Sequence, residues 1–212
     1  MPPKTLTLLR PSLLASALLL AAPAASAQYR DSPFSYNYLD LDWAQSELDD
    51  DHYDFETLSG YGGRLSFDSP EGVRILLAYH ETEGDTDAAV NDRSLLRQDF
   101  EAGVGFITSP TETTDLVLDI KYLRGEWRRP VDDPAVSRNR TQNGYGIEFG
   151  ARNLLTDWLE LGISAEYRDY FTSEIGGRGR LILMFTPNFG LQGTYTWFES
   201  QQYMTAGLRL AI

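Results

Sequence analysis

From about residue 34 to the C-terminus, apolar and polar positions alternate with a period of two. Val73, Ile75, Leu77 and Tyr79 share one parity, while Arg74 and His80 take the other. Leu116, Leu118, Ile120 and Tyr122 oppose Asp119 and Lys121. Tyr145, Ile147, Phe149 and Ala151 oppose Glu148 and Arg152. Leu159, Leu161, Ile163, Ala165 and Tyr167 oppose Glu160, Glu166 and Arg168. Met204, Ala206, Leu208, Leu210 and Ile212 oppose Tyr203, Thr205 and Arg209. Because successive side chains of a strand point to opposite faces, this pattern predicts strands with one apolar and one polar side. Ten such stretches are expected, the first near 34–46, with Leu39, Leu41 and Trp43 against Asp40 and Asp42. Each is about 9–13 residues long, the length a tilted strand needs to cross a bilayer.

Alternation alone does not say which face meets solvent. A soluble barrel hides its apolar face, and a membrane barrel turns it to lipid. The connections favour the second. Short turns at 68–72, 108–114, 153–158 and 186–190 alternate with longer stretches near 47–54, 83–95 and 128–143 and two more near 171–177 and 199–202. Outer-membrane barrels have this asymmetry of turns and loops. Aromatic residues collect at strand ends. Trp43, Phe55, Tyr79, Tyr122, Tyr145, Tyr167 and Trp197 lie toward the long-loop end, and Phe67, Phe106 and Phe185 toward the short-turn end. Two such girdles around an aliphatic band suit the two bilayer interfaces.

The polar face carries Arg64, Arg74, Arg97, Lys121, Arg152, Arg168, Arg178, Arg180 and Arg209 against Asp40, Asp42, Glu56, Asp99, Glu101, Asp119, Glu148, Glu160 and Glu166. Cations and anions balance there, although the 212-residue chain has net charge −13. Balance on one face predicts mutual pairing in a confined lumen, since a buried charge needs a partner. Neutralising one of these, such as Arg180, is then expected to strand its partner. The final residues, with Gly207, Leu210 and Ile212, form a polar-x-Gly-x-x-apolar-x-apolar ending suited to a barrel insertion signal. Ile212 stands where an aromatic residue is usual.

Residues 1–27 differ from the rest. Lys4 and Arg10 precede an apolar run at 13–22 and a small-x-small site, Ala25-Ser26-Ala27. This predicts a secretory signal peptide, cleaved to leave a barrel domain of residues 28–212. Its loss removes two positive and no negative charges, taking the chain to −15. No cysteine is present, so disulfides and thiolate metal sites are excluded. An acidic chain of pI about 4.5 lacks the basic footprint of a nucleic-acid binder.

The stretches Tyr36-Asn37-Tyr38-Leu39-Asp40-Leu41-Asp42, Pro187-Asn188-Phe189-Gly190 and Tyr203-Met204-Thr205-Ala206-Gly207-Leu208-Arg209-Leu210 resemble the small outer-membrane β-barrel proteins of gammaproteobacteria, particularly the Ax-type barrels. The resemblance covers most of the chain after residue 27. It implies placement in the outer membrane and carries over no catalytic residue.

The expected fold is therefore an all-β, antiparallel, up-and-down transmembrane barrel of ten strands, with eight as the alternative count. No catalytic, cofactor-binding or metal-binding residue is assigned. A hydrolase would have to pair His80 with Ser94 or Ser173 and an acid such as Glu101, and nothing in the spacing demands it. The acidic stretches Asp49, Asp50, Asp51, Asp54 and Glu81, Glu83, Asp85, Asp87 offer hard oxygen ligands but lack the EF-hand pattern. Arg124, Arg128, Arg129, Arg138 and Arg140 gather near the outer rim, where lipopolysaccharide phosphates lie. Expected partners are outer-membrane lipid and lipopolysaccharide, and the barrel-assembly machinery during insertion. The expected role is a closed structural or surface-interaction barrel, with a narrow channel and a hydrolase as alternatives.

Overall fold

The computed structural model describes residues 32–48, 57–85, 94–129 and 138–212. The expected signal peptide, the Asp49–Asp54 stretch with His52, and Phe55, Glu56 and Asp87 lie outside the described residues. Ten strands follow in order: β1 (Tyr38–Leu48), β2 (Thr57–Asp68), β3 (Val73–Asp85), β4 (Ser94–Thr108), β5 (Thr114–Arg129), β6 (Arg138–Thr156), β7 (Leu159–Tyr170), β8 (Thr172–Thr186), β9 (Phe189–Trp197) and β10 (Gln201–Ala211). Each pairs antiparallel with its sequence neighbours, and β1 pairs with β10 to close the barrel. Closure removes both free edges, so every strand can satisfy its backbone groups within the sheet, as lipid requires.

The parity seen in the sequence decides the facing. Leu41, Ile75, Val104, Phe149, Ile163, Leu181 and Leu208 are exposed on the outer wall, while Asp40, Arg74, Asp119, Glu148 and Arg209 are buried inside. The upper aromatic belt runs through Trp43, Tyr61, Tyr79, Phe100, Tyr122, Tyr145, Tyr167 and Trp197. Trp43 faces Tyr61, Tyr79 faces Phe100, and Tyr122 faces Tyr145 across adjacent strands. Their hydroxyls reach polar groups above the belt: Tyr122 donates to Asn143 (2.8 Å) and Tyr195 to Gln202 (2.7 Å). The lower belt holds Phe67, Phe106, Trp158, Phe185 and Phe189.

Several connections are shorter than expected. The stretch near 171–177 is almost wholly strand, since β8 begins at Thr172 and Tyr170 pairs with Thr172 around Phe171. The turns at 153–158 and 186–190 shrink to two residues each, because pairing continues to Thr156–Leu159 and Thr186–Phe189. The turn before β3 needs Gly72, whose φ of 76° suits glycine. Strand lengths also exceed the expected range: β4, β5 and β6 have 15, 16 and 19 residues. Above Tyr122 and Tyr145 their outer positions turn polar, as Arg124, Glu126, Arg128, Thr141 and Asn143. This part of the wall stands clear of the apolar band.

The first strand begins at Tyr38, not near residue 34. Residues 34–37 instead carry Phe34 and Tyr36 into the barrel's lower mouth. Phe34, Tyr36, Ile107 and Val117 form a small apolar cluster there, with Leu154 packed against it.

Candidate functional site

The candidate site is the lumen, built in layers from inward positions of every strand. At the bottom, Arg152 holds Glu160 through two hydrogen bonds, of 2.6 and 2.7 Å. The same guanidinium lies over the rings of Phe34 (4.6 Å) and Tyr36 (4.2 Å). Tyr36 donates its hydroxyl to Asp115 (2.9 Å), which also accepts from Ser32 (2.5 Å). One layer up, Arg74 pairs with Asp119, and Arg209 with Asp40.

The middle layer is the densest. The Lys121 ammonium stands 2.9 Å from Glu148, 2.5 Å from Glu166 and 3.8 Å from Glu101. Arg178 reaches the same two glutamates, Glu148 at 2.7 Å and Glu166 at 3.0 Å. Ser164 adds a hydrogen bond to Glu148 at 2.6 Å. This knot ties the neighbouring strands β5, β6, β7 and β8 together on one side of the lumen. Arg64 approaches Glu101 only to 3.9 Å.

Arg180 departs from the sequence expectation. It forms no ion pair among the described residues, and its Nε is buried without a hydrogen-bond partner. Its register places it between Gly162 and Thr194, so neither neighbouring strand offers a carboxylate beside it.

In the upper layer, Asp42 accepts from Gln192 and lies 3.7 Å from His80, whose ring meets Tyr203 edge-on. Arg97 pairs with Asp99 (2.6 Å) and donates to Gln201 (2.6 Å). Tyr170 donates to Asp99 (2.7 Å). Near the top, Arg168 reaches Glu174 at 3.4 Å.

Two cavities remain in the lumen, of about 70 and 50 Å³. Arg64, Glu101, Arg178 and Arg180 border both. At about 10–15 Å³ per water, each holds a few waters.

Among the described residues, the lumen charges named from the sequence thus face inward, and all but Arg180 and Asp42 meet an opposite charge within 4 Å; Asp42 has His80 and Gln192 instead. Two inward carboxylates, Asp115 and Glu174, escaped notice, although they share parity with Asp119 and Arg178. A chain segment ahead of the first strand enters the lower mouth with Phe34 and Tyr36, which periodicity could not reveal. Gly207 lies inside; a Cβ there would fall 2.6 Å from the Asp42 carboxylate. Leu210 and Ile212 point outward.

His80 does not meet Ser173. His80 is inside the barrel, while Ser173 is exposed and donates to Asp169 (2.8 Å). Of the rim arginines, Arg124 and Arg128 face outward, and Arg128 is bound to Glu126 (2.9 Å). Arg140 turns into the mouth and lies over Phe171 (5.1 Å).

The sequence matches the family described as outer membrane protein beta-barrel domain over residues 12–180. No curated protein sequence matches it. Similar solved structures include Ail, the attachment invasion locus protein of Yersinia pestis, at 14% identity and TM-score 0.43, covering 82% of this chain and 99% of that one. The translocator domain of the autotransporter NalP from Neisseria meningitidis has 9% identity and TM-score 0.48, covering 95% of this chain and 96% of that one. Neisserial surface protein A has 14% identity and TM-score 0.41, covering 82% and 96%.

Proposed function

Because this chain belongs to the outer membrane protein beta-barrel domain family and resides in the bacterial outer membrane, we propose that it works as a closed, non-conducting barrel. Its role on this reading is structural, presenting the raised β4–β6 wall and the outer mouth for surface interaction. The observation that carries the reading is the Lys121, Glu148, Glu166 and Arg178 knot, which projects into the lumen from four neighbouring strands. An eight-stranded barrel is filled by its own side chains, whereas 16–18 strands leave a channel. At ten strands, long paired side chains suffice to fill the bore. Phe34 and Tyr36 add a second barrier below.

The role involves no catalytic step. On this reading Arg124, which faces outward above the belt, meets lipopolysaccharide phosphates, with Arg128, held by Glu126, beside it. Liposome swelling tests the reading. Vesicles carrying the folded protein should resist swelling in small sugars and amino acids as protein-free vesicles do. Rapid swelling would replace the closed barrel with a narrow channel.

A further inference from the structure

Above the knot, at the outer mouth, lies a separate cavity of about 160 Å³. Arg97, Trp127, Arg140, Arg168, Tyr170 and Phe171 line most of it. Each guanidinium rests on an aromatic face: Arg97 on Trp127 (5.5 Å), Arg140 on Phe171 (5.1 Å) and Arg168 on Phe198 (3.5 Å). Phe171 is the one non-glycine residue with positive φ (50°) among the described residues. A bulky residue rarely adopts this backbone, and such outliers gather at ligand sites. The turn holds its ring against Tyr170 (4.4 Å) and Trp127 (5.1 Å).

Among the described residues, the charges at this mouth do not balance. The two carboxylates described there, Asp99 and Glu174, are already engaged. Asp99 has Arg97 (2.6 Å) and Tyr170 (2.7 Å). Glu174 has Thr172, the Ser200 hydroxyl (2.7 Å) and Arg168. The cations are less well served. Arg168 makes a single long contact, at 3.4 Å, and its Nε is buried with no hydrogen-bond partner. Arg140 forms no ion pair among the described residues. Among the described residues, three guanidiniums facing two occupied carboxylates leave room for one negative charge.

We propose that this pocket binds a small organic monocarboxylate with a flat, apolar body. A guanidinium fork matches a carboxylate in shape and charge. A phosphate dianion would bring a second charge up against Asp99 and Glu174. The volume lies below the roughly 300 Å³ at which drug-sized sites begin, so the body is about one ring in size. The carboxylate accepts from Arg168 and Arg140, and the ring lies against Trp127 and Phe171. The site stands above the knot, so it does not depend on whether the lumen conducts.

Calorimetric titration of the folded protein in detergent micelles tests this, with benzoate as the probe. Benzamide, acetate and inorganic phosphate serve as comparisons. Benzoate should bind saturably at one site. Benzamide, lacking the charge, should bind at least about tenfold more weakly, as should Arg140→Gln with benzoate, since a hydrogen bond to a charged group is worth about one decade in affinity. Arg140 is exposed, so this variant folds, and unchanged heat-modifiable gel migration checks that it has. No saturable benzoate binding would overturn the proposal, and so would affinity unchanged in Arg140→Gln. Acetate binding as tightly as benzoate would overturn the apolar body, and phosphate binding more tightly would overturn the monoanion.

Discussion

Arg209 on the last strand grips Asp40 on the first through two hydrogen bonds, of 2.8 and 2.7 Å. The two stand directly opposite in the β1–β10 seam, and the Tyr38 ring lies 3.7 Å from the guanidinium. Chain ends far apart in sequence are thus joined by a forked, buried ion pair where the barrel closes. Removing one partner leaves an uncompensated charge inside. Arg209→Met is expected to cost about 3–5 kcal/mol, with a similar loss for Asp40→Asn. The double variant should cost less than the sum of the two. Urea unfolding in lipid vesicles, followed by tryptophan fluorescence, measures all three. Additive losses would show that the pair does not act as a unit.

Arg178 and Arg180 are two residues apart on one strand face, and their surroundings differ sharply. Arg178 holds Glu148 and Glu166, so Arg178→Met should lower stability by about 3–5 kcal/mol. Among the described residues, Arg180 has no carboxylate to strand. Arg180→Met should fall within about 1 kcal/mol of the parent, or above it, because a buried charge is replaced by an apolar chain of similar length. Equal losses in the two variants would contradict the pairing described here.

Phe34 and Tyr36 pack on Arg152, Ile107 and Val117 in the lower mouth. Truncating either ring to Ala should cost about 3 kcal/mol, as for other buried aromatic residues. The knot lies above this barrier, so the double variant should stay electrically silent while unfolding at lower urea. Conduction on removing these two rings alone would place the barrier in the wrong layer.

Gly125 faces the mouth beneath Tyr170. A Cβ there would fall 1.4 Å from the tyrosine hydroxyl. Gly125→Val should displace the ring, break its bond to Asp99 and cost about 1–3 kcal/mol. Gly179 has nothing within 4 Å of the corresponding position. Gly179→Ala should change stability by no more than about 0.5 kcal/mol. Thermal unfolding of the two variants side by side measures the contrast.

Facing and strand number were legible in the sequence because a barrel wall imposes one rule on every strand: lipid on one parity, lumen on the other. Trp43, Tyr122 and Tyr145 could be placed from that rule alone. Pairing was legible only as a balance of signs. Which carboxylate Lys121 meets depends on inter-strand register, and a strand's own periodicity carries no information about its neighbour's offset. Arg180 shows the consequence, since parity put it inside but could not reveal that Gly162 and Thr194 flank it. Phe34 and Tyr36 alternate as strand residues do, so their fold into the mouth looked like the start of β1. Arg140 was read as a rim cation for the same reason. Its strand was expected to end lower, and the extra length of β6 turns it inward.

The central claim is that ion pairs close the lumen. Single-channel recording in planar bilayers, with insertion verified by heat-modifiable gel migration, tests it most directly. The parent should be silent under applied voltage. A variant with Lys121, Glu148, Glu166 and Arg178 all replaced by Ala, together with Phe34 and Tyr36, should conduct if it folds. Discrete, reproducible current steps from the unmodified protein would contradict the account and make the barrel a channel.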